Sequence, residues 1–365
     1  MNAYSQGLSG GDVAFIEIIK RMKVEQSTIV TSSLGEGLCR ERGVKGNYIL
    51  TTKESKFTNL LWIYARRILI GSWKTLWIDI PDIVYVTSDN LCDVLPALVL
   101  KTRAVVRRKN LKVLQKYYHV NDRSRALSSL MQRASFRLFK FYVDRICTCS
   151  KESRDTLCGA FGDNIGSIPV DVNYLGIDFA SIERVEAKPD AYDAIFLGRI
   201  HPSKGVFDLV PIWKKIVAKF PDFRLGIMGK GSEEIEEKLQ LQIREAGLTR
   251  NIDLLGFQDN VYAYIKASKV FFFPSHEEGF GISLVEAMAC GSCVIGYDLP
   301  VFKEIFAKNM ILVPQFDREC FANEMLALLS NSERMNKMST QSKNFAKSFD
   351  WRLVVEREEN IMRLL

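Results

Sequence analysis

The sequence predicts an α/β protein with parallel sheets, divided into two domains, and three observations carry that prediction. A chain of 365 residues has room for two cores, and 47% hydrophobic with 25% charged residues is the balance of a globular enzyme. Short apolar runs alternate with longer amphipathic ones along nearly the whole length, the rhythm of βαβ units. The clearest unit is FFFPSHEEGFGISLVEAMACGSCVIGYDLP, Phe271 to Pro300. There Val270–Phe273 reads as a buried strand ended by Pro274, Ser283 as the cap of a helix running to Cys290, Gly291 as its stop, and 293–295 as the next strand.

Composition narrows the partners. Fifty basic against 43 acidic residues leave a formal charge of +7, compatible with polyphosphate ligands or an anionic membrane surface and far from a nucleic-acid-binding composition. Eight cysteines (39, 92, 147, 149, 158, 290, 293 and 320) lack the density of a disulfide framework and read as reduced thiols. Cys290 and Cys293 form a CxxC with no second pair nearby, which favours core packing over metal or redox use. No apolar run is long enough to span a bilayer and the N-terminus has no basic-then-apolar pattern. A cytoplasmic location is expected, with the cytoplasmic face of the membrane as the alternative.

Taken in order, Gly10-Gly11-Asp12 leads into a helix through Val13, Ile16 and Ile19. Met1 to Gly7 is too polar and short for the buried strand that normally precedes such a loop, so that strand is degenerate or the start is truncated. Gly10 and Gly11 make either a plain turn or a loop that backs onto a diphosphate or acceptor. Strands are expected at 27–31, 48–51 and 83–87, with helices near 35–42 and 57–73. The second of these helices mixes Leu, Trp, Tyr and Ile with Lys56, Arg66 and Arg67. Packing of one face on a sheet is the plainer reading, and lying on a membrane surface the other.

Ser88-Asp89 is expected to cap a helix interrupted by Pro96, and Ala104–Val106 to be the next strand, followed by a basic and aromatic stretch carrying His119. A long helix over 123–142, a strand at 145–148 and a helix starting at Ser150 close the first domain. The crossover IPVDVNYLGIDF and the polar EAKPD lead into the second, with the boundary near Asn173 (1–173 and 174–351). Strands then follow at 194–197, 224–228 and 252–255, with helices at 206–217, 232–246, 261–267, 320–329 and 332–347, and a terminal helix from Arg352 to Leu365.

Glu278-Gly279-Phe280-Gly281 followed by Glu286, with seven residues between the two glutamates, resembles the paired-glutamate motif of retaining glycosyltransferases of family 4. LGRIHPSKG (197–205) and GYDLPVFKEI (296–305) match further motifs of that family in the expected order. The resemblance implies a GT-B fold, two Rossmann-like domains facing each other across a cleft, the first binding the acceptor and the second the donor, with the terminal helix packed back on the first. It implies transfer of a sugar from a UDP- or GDP-linked donor to a saccharide or lipid-linked acceptor, with no cofactor and with peripheral membrane association as an option. The lack of an Asp-x-Asp pair in a suitable loop favours a mechanism with no metal, and the composition leaves no nucleic acid among the expected partners. Arg199 and Lys204, two cations after a strand end, suit a diphosphate leaving group as fork and point charge.

By the resemblance Glu278 meets the sugar hydroxyls, Glu286 the ribose, and His119 the donor sugar from the first domain. Gly10, Gly11, Gly198, Gly229, Gly256 and Phe257, with Gly279, Phe280, Gly281, Ile282, Ser283 and Leu284, complete the donor site. The residues alone allow a rival for Glu286, since Ser283-x-x-Glu286 is also a capping box. Two other functions share the scaffold, a nucleotide-sugar epimerase or phosphorylase and a non-catalytic binding partner.

Overall fold

Strand and helix alternate as the apolar runs predict in a computed structural model, which describes residues 10–53, 60–119, 126–188 and 192–365. Two units emerge, Met1–Leu175 with Trp351–Leu365, and Gly176–Asp350. Unit 1 runs through α1 (Gly10–Arg21), β1 (Thr28–Thr31), α2 (Ser33–Glu41), β2 (Asn47–Leu50), α3 (Leu60–Thr75), β3 (Ile83–Val86), α4 (Leu91–Val106), β4 (Lys112–Tyr117), α5 (Ala126–Tyr142), β5 (Arg145–Thr148), α6 (Lys151–Ile165) and β6 (Val170–Val172). β1 and β2 form one parallel pair, and β3-β4-β5-β6 a parallel sheet.

Unit 2 follows with α7 (Phe179–Arg184), β7 (Ala194–Leu197), α8 (Val206–Lys219), β8 (Leu225–Met228), α9 (Glu233–Glu245), β9 (Ile252–Gly256), α10 (Val261–Ala267), β10 (Val270–Phe273), α11 (Ile282–Ala289), β11 (Cys293–Tyr297), α12 (Pro300–Phe306), β12 (Ile311–Val313), α13 (Arg318–Leu329) and α14 (Ser332–Ala346). Its six strands are all parallel in the order β12-β11-β10-β7-β8-β9. The chain therefore winds outward from β7 in both directions, and its order reverses between β7 and β10, whose carboxyl ends are the place where open parallel sheets bind ligands. Strands buried on both faces need continuous apolar runs, and AIFL, LGIM and VFFF provide them. Trp213 of α8 meets Phe272 edge-on at 5.6 Å, and Phe272 stacks on Phe321 at 5.4 Å.

The structure corrects the sequence reading in unit 1. Ala104–Val106 is the last turn of α4, where Val105 and Val106 are exposed, and the strand is β4, inside the basic and aromatic stretch. Lys116 and Gln115 disguise that strand, because both are buried polar residues with distant partners. Gln115 Oε1 accepts from Tyr142 Oη at 2.7 Å. The cap of α4 is Asn90, whose side chain accepts from the Cys92 amide, and not Ser88 or Asp89. The crossover contains β6 and α7. Residues 1–7, 57–59, 123–125 and 189–190 of the expected elements lie outside the described residues. Cys290 ends α11 and Cys293 opens β11, with both thiols free. No described helix is long and apolar enough to cross a membrane.

The final helix, α15 (Trp351–Arg363), belongs to unit 1 and is attached there by a buried charge. Lys116 Nζ lies 3.1 Å from each carboxylate oxygen of Glu358, with 1% and 0% of the two side chains exposed. Tyr85 Oη and Asn173 Nδ2 also donate to Glu358, at 2.8 and 2.6 Å. Lys116 further donates to Cys147 Sγ at 3.1 Å, and burial, followed by the Glu358 charge, pushes that thiol up to about 12, so it stays neutral. Removing one member of such a pair leaves an uncompensated buried charge. Lys116→Met or Glu358→Leu should each cost about 3–5 kcal/mol in equilibrium denaturation, and the double variant should cost clearly less than the two losses added. Additive losses would show that the pair is not coupled.

Candidate active site

Four loops at the carboxyl ends of β7, β8, β9 and β10 hold the predicted site residues of unit 2. After β7 comes Gly198–His201 and then a short 3₁₀ turn over Pro202–Lys204, in which His201 Nδ1 accepts from the Ser203 amide. Gly205 ends the turn at φ 68°, and a Cβ there would stand 1.8 Å from the carbonyl oxygen of Pro274. Only glycine satisfies both demands, so the β7 and β10 loops touch backbone to backbone. The His276 amide donates to Ser203 O at 2.9 Å beside that contact. Gly229 is equally constrained, with φ 133° and the carbonyl of Gly198 where a Cβ would be.

This backbone contact brings Lys204 and Glu278 together. Lys204 Nζ lies 2.6 Å from Glu278 Oε1, which also accepts from Ser275 Oγ at 3.1 Å, and the two side chains are 18% and 14% exposed. Two residues that the sequence assigns separate roles thus form one ion pair beyond the carboxyl ends of β7 and β10. Arg199, one loop residue beyond Gly198, is exposed and has no ion-pair partner among the described residues.

α11 starts two residues earlier than the sequence suggests. Its N-cap is Gly281 at φ 92°, with no side-chain cap, so the capping box of Ser283 and Glu286 does not form. Glu286 falls at the fifth position of the helix, away from the free amides of the first turn. Its Oε1 accepts from Tyr262 Oη at 2.7 Å, and burial raises its carboxyl to about 7 although the Tyr262 hydrogen bond works the other way. Tyr262 itself is pushed well up, first by burial and then by the Glu286 charge. The amides of Ile282 and Ser283 have no acceptor among the described residues, whereas the Leu284 amide donates to Gly281 O at 3.0 Å and its side chain is buried. Phe280 is buried too, edge-on to Phe306 and Phe349 at 6.0 and 5.9 Å, so its side chain belongs to the core. Gly279 joins Glu278 to Phe280 in this loop.

At the β9 end, Gly256 has φ 63° and its carbonyl accepts from the Gly229 amide, while Phe257 is 64% exposed with Lys230 Nζ 5.6 Å from its ring. Gly10, Gly11 and His119 lie in unit 1. Gly10 and Gly11 are the first residues of α1 itself, and a Cβ on Gly11 would come 3.2 Å from the Tyr118 ring, which places α1's start beside the residue preceding His119. His119 is exposed, and its carbonyl accepts from Gln132 Nε2, which also donates to Asp89.

Sequence reasoning missed the group that holds the β10 loop. Asp208, in the first turn of α8 and 2% exposed, accepts from His276 Nε2 at 2.8 Å, Tyr297 Oη at 3.0 Å and Arg318 Nε at 2.7 Å. His276 stands two residues before Glu278. Gln315 Nε2 donates to its carbonyl at 2.9 Å, and Phe316, at φ 67°, sets its ring edge-on to the imidazole at 4.7 Å. A carboxylate between Phe207 and Leu209 in an otherwise apolar helix start is the signal that could have found it.

Residues 178–345, which include all of these unit 2 groups, match the profile of the family described as Glycosyl transferases group 1. A phosphatidyl-myo-inositol mannosyltransferase of Mycobacterium leprae is 32% identical over 176 residues, 47% of this chain and 45% of that one. An uncharacterised glycosyltransferase of Methanocaldococcus jannaschii is 26% identical over 269 residues, 70% and 64% of the two chains. The chain thus spans about half to two thirds of the length of these relatives. Among solved structures, Anabaena HepE in complex with UDP and glucose superposes with a TM-score of 0.79 at 16% identity, covering 99% and 98% of the chains. Sucrose-phosphate synthase of Thermosynechococcus elongatus does so with 0.68 at 16%, covering 86% and 80%. The chain therefore has the GT-B fold of these glycosyltransferases, and its residues 178–345 match the group 1 family.

Proposed function

We propose that this protein is a retaining glycosyltransferase that moves a sugar from a UDP- or GDP-linked donor to a saccharide or lipid-linked acceptor, without a metal. The observation that carries the reading is the Lys204–Glu278 pair beyond the carboxyl ends of β7 and β10, with exposed Arg199 in the same β7 loop and the free amides of Ile282 and Ser283 at the start of α11. HepE, which shares the fold, is described with UDP and glucose, and the mannosyltransferase relatives are named for a phosphatidylinositol acceptor; both support the reading.

Each group then has a task. Arg199, Lys204 and the start of α11 supply positive potential to a departing diphosphate, the charge that grows as the glycosidic bond breaks. Lys204 is already held in place by Glu278, so little side-chain freedom is lost when the anion arrives. Glu278 has its contacts on Oε1 and can receive sugar hydroxyls beside the phosphate. Glu286, backed by Tyr262, takes the ribose hydroxyls, and Gly198, Gly229, Gly256 and Phe257 border the nucleotide. Same-face attack, with the leaving phosphate taking the acceptor's proton, accounts for retention; the anomeric configuration of the product, read by proton NMR, tests it.

Three outcomes follow. Arg199→Ala and Lys204→Ala should each weaken UDP or GDP binding by about 1.5–3 kcal/mol in calorimetric titration, and weaken the monophosphates less. Glu278→Gln should leave UDP or GDP affinity equal or higher, since a competing anion next to Lys204 is gone, while turnover falls in the chemical step. A parallel loss of nucleotide affinity would place Glu278 on the nucleotide side instead.

The third outcome concerns Glu286 and pH. Its folded-state value of about 7 stands above the ordinary 4.5, so its contribution to stability is complete below about 4.5 and is lost as pH rises through 7. Relative to the wild type, Glu286→Gln should gain thermal stability between pH 5 and 8. As a carboxylate accepting from ribose, Glu286 should also make nucleotide affinity rise through neutral pH, a slope that Glu286→Gln abolishes. An unchanged slope in the variant would remove Glu286 from the site.

A further inference from the structure

His276 is one of three histidines in the chain and sits in the β10 loop, two residues before Glu278. Its amide, its carbonyl and its ring each bond to a different segment of unit 2. The amide donates to Ser203 O in the β7 loop at 2.9 Å, the carbonyl accepts from Gln315 Nε2 between β12 and α13 at 2.9 Å, and ring Nε2 lies 2.8 Å from Asp208 Oδ2 in α8. A carboxylate only accepts, so Nε2 carries the proton in this contact. The rings of Phe316 at 4.7 Å and Tyr297 at 5.9 Å enclose the imidazole further, and 28% of the side chain is exposed.

The residues on either side of His276 are the ones that touch the Lys204–Glu278 pair. Ser275, 0% exposed, donates to Glu278 Oε1, and the carbonyl of Glu277 accepts from Lys204 Nζ at 3.3 Å. On the facing loop, Ser203, which accepts from the His276 amide, immediately precedes Lys204. Fixing His276 therefore fixes the separation and the angle of both loops. Apolar packing would keep the loops together while letting them slide; directional bonds to three segments do not. An anchor that served the fold alone would also be cheaper as an apolar contact. Asp208, 2% exposed, has to be taken out of water and then supplied with three donors, from His276, Tyr297 and Arg318.

We propose that His276, held by Asp208, is a positioning residue of the transfer, setting Glu278 against Lys204 and acting through Glu278. The proposal rests on the reaction put forward for this site and adds to it a residue outside the motifs that carry the family resemblance. Arg199, Lys204 and the amides at the start of α11 remain without His276, so nucleotide binding is spared. The loss falls on the step in which Glu278 acts.

The test measures release of UDP or GDP from a panel of UDP- and GDP-linked hexoses, beside calorimetric affinity for free UDP and GDP. His276→Leu should lower turnover about 10–100-fold, the effect of displacing a catalytic group by about 1 Å, with nucleotide affinity changed by less than about threefold. His276→Gln, whose Nε2 can still donate to Asp208, should recover most of that loss. In the Glu278→Gln background His276→Leu should lower turnover no further, since nothing is left for it to position. Gln315→Ala removes only the bond from an exposed side chain to the His276 carbonyl. It should lower turnover several-fold with unchanged circular dichroism, and it carries the test if His276→Leu does not fold. With an active wild type, equal losses of turnover and nucleotide affinity, additive losses in the double variant, or no rescue by glutamine would each overturn the inference and leave the reaction standing. A wild type that releases neither nucleotide from any donor would overturn the reaction itself, and the inference with it.

Discussion

A lysine and a glutamate with essentially no access to water decide how the last helix of this chain is placed. Lys116 and Glu358 are 242 residues apart in sequence, and neither could be ionised inside unit 1 without the other. Burial by itself opposes the Lys116 charge, but the hydrogen bond to the Cys147 sulfur and the Glu358 carboxylate more than offset it and hold the ammonium well above its usual range. Tyr85 and Asn173 complete the hydrogen bonding of the carboxylate, and Asn173 also donates to Val354 O. A one-residue slide of α15 would break all of these contacts at once, so the polar cluster sets the register of a helix whose apolar stripe alone would tolerate several.

The site in unit 2 rests on a constraint of the same kind, made by backbone and not by charge. Gly205 lets the β7 loop touch the carbonyl of Pro274, and that contact puts Lys204 within reach of Glu278. Asp208 then holds the β10 loop from behind through His276, with Tyr297 and Arg318 satisfying its remaining lone pairs. The strain of a non-glycine residue at positive φ, Phe316, is carried beside this cluster, where the ring finds the imidazole. Rigid support of this sort suits the proposed transfer from a nucleoside diphosphate, because stabilising groups that are already oriented cost no reorganisation during a reaction.

Much of the architecture was legible without coordinates. Strands buried on both faces must be continuous apolar runs, so β7, β8, β9, β10 and β11 stand out from the text of the chain, and the glycines and prolines between them mark the turns. The cations after β7 and the glutamates around α11 were also visible, because their spacing relative to a strand end is a local property. At β4 polar residues were the reason the reading failed. β4 was passed over because Gln115 and Lys116 interrupt its apolar pattern, and the exposed Val105-Val106 pair imitated a strand in its place.

The sequence by itself determined the alternation of elements, the parallel sheets and the identity of the charged residues in the loops, since periodicity and turn chemistry depend only on near neighbours. Tertiary structure decided which partner each buried polar group takes. Glu286 fits a capping box in sequence, yet a left-handed Gly281 starts the helix early and Tyr262, 24 positions away, takes the carboxylate. Asp208 meets partners 68, 89 and 110 positions away, and α3 turns its tryptophans outward because Pro96 and Thr52 already occupy its other side. A buried charge must find whatever complement the fold brings to it, and that choice is made between residues far apart in the chain.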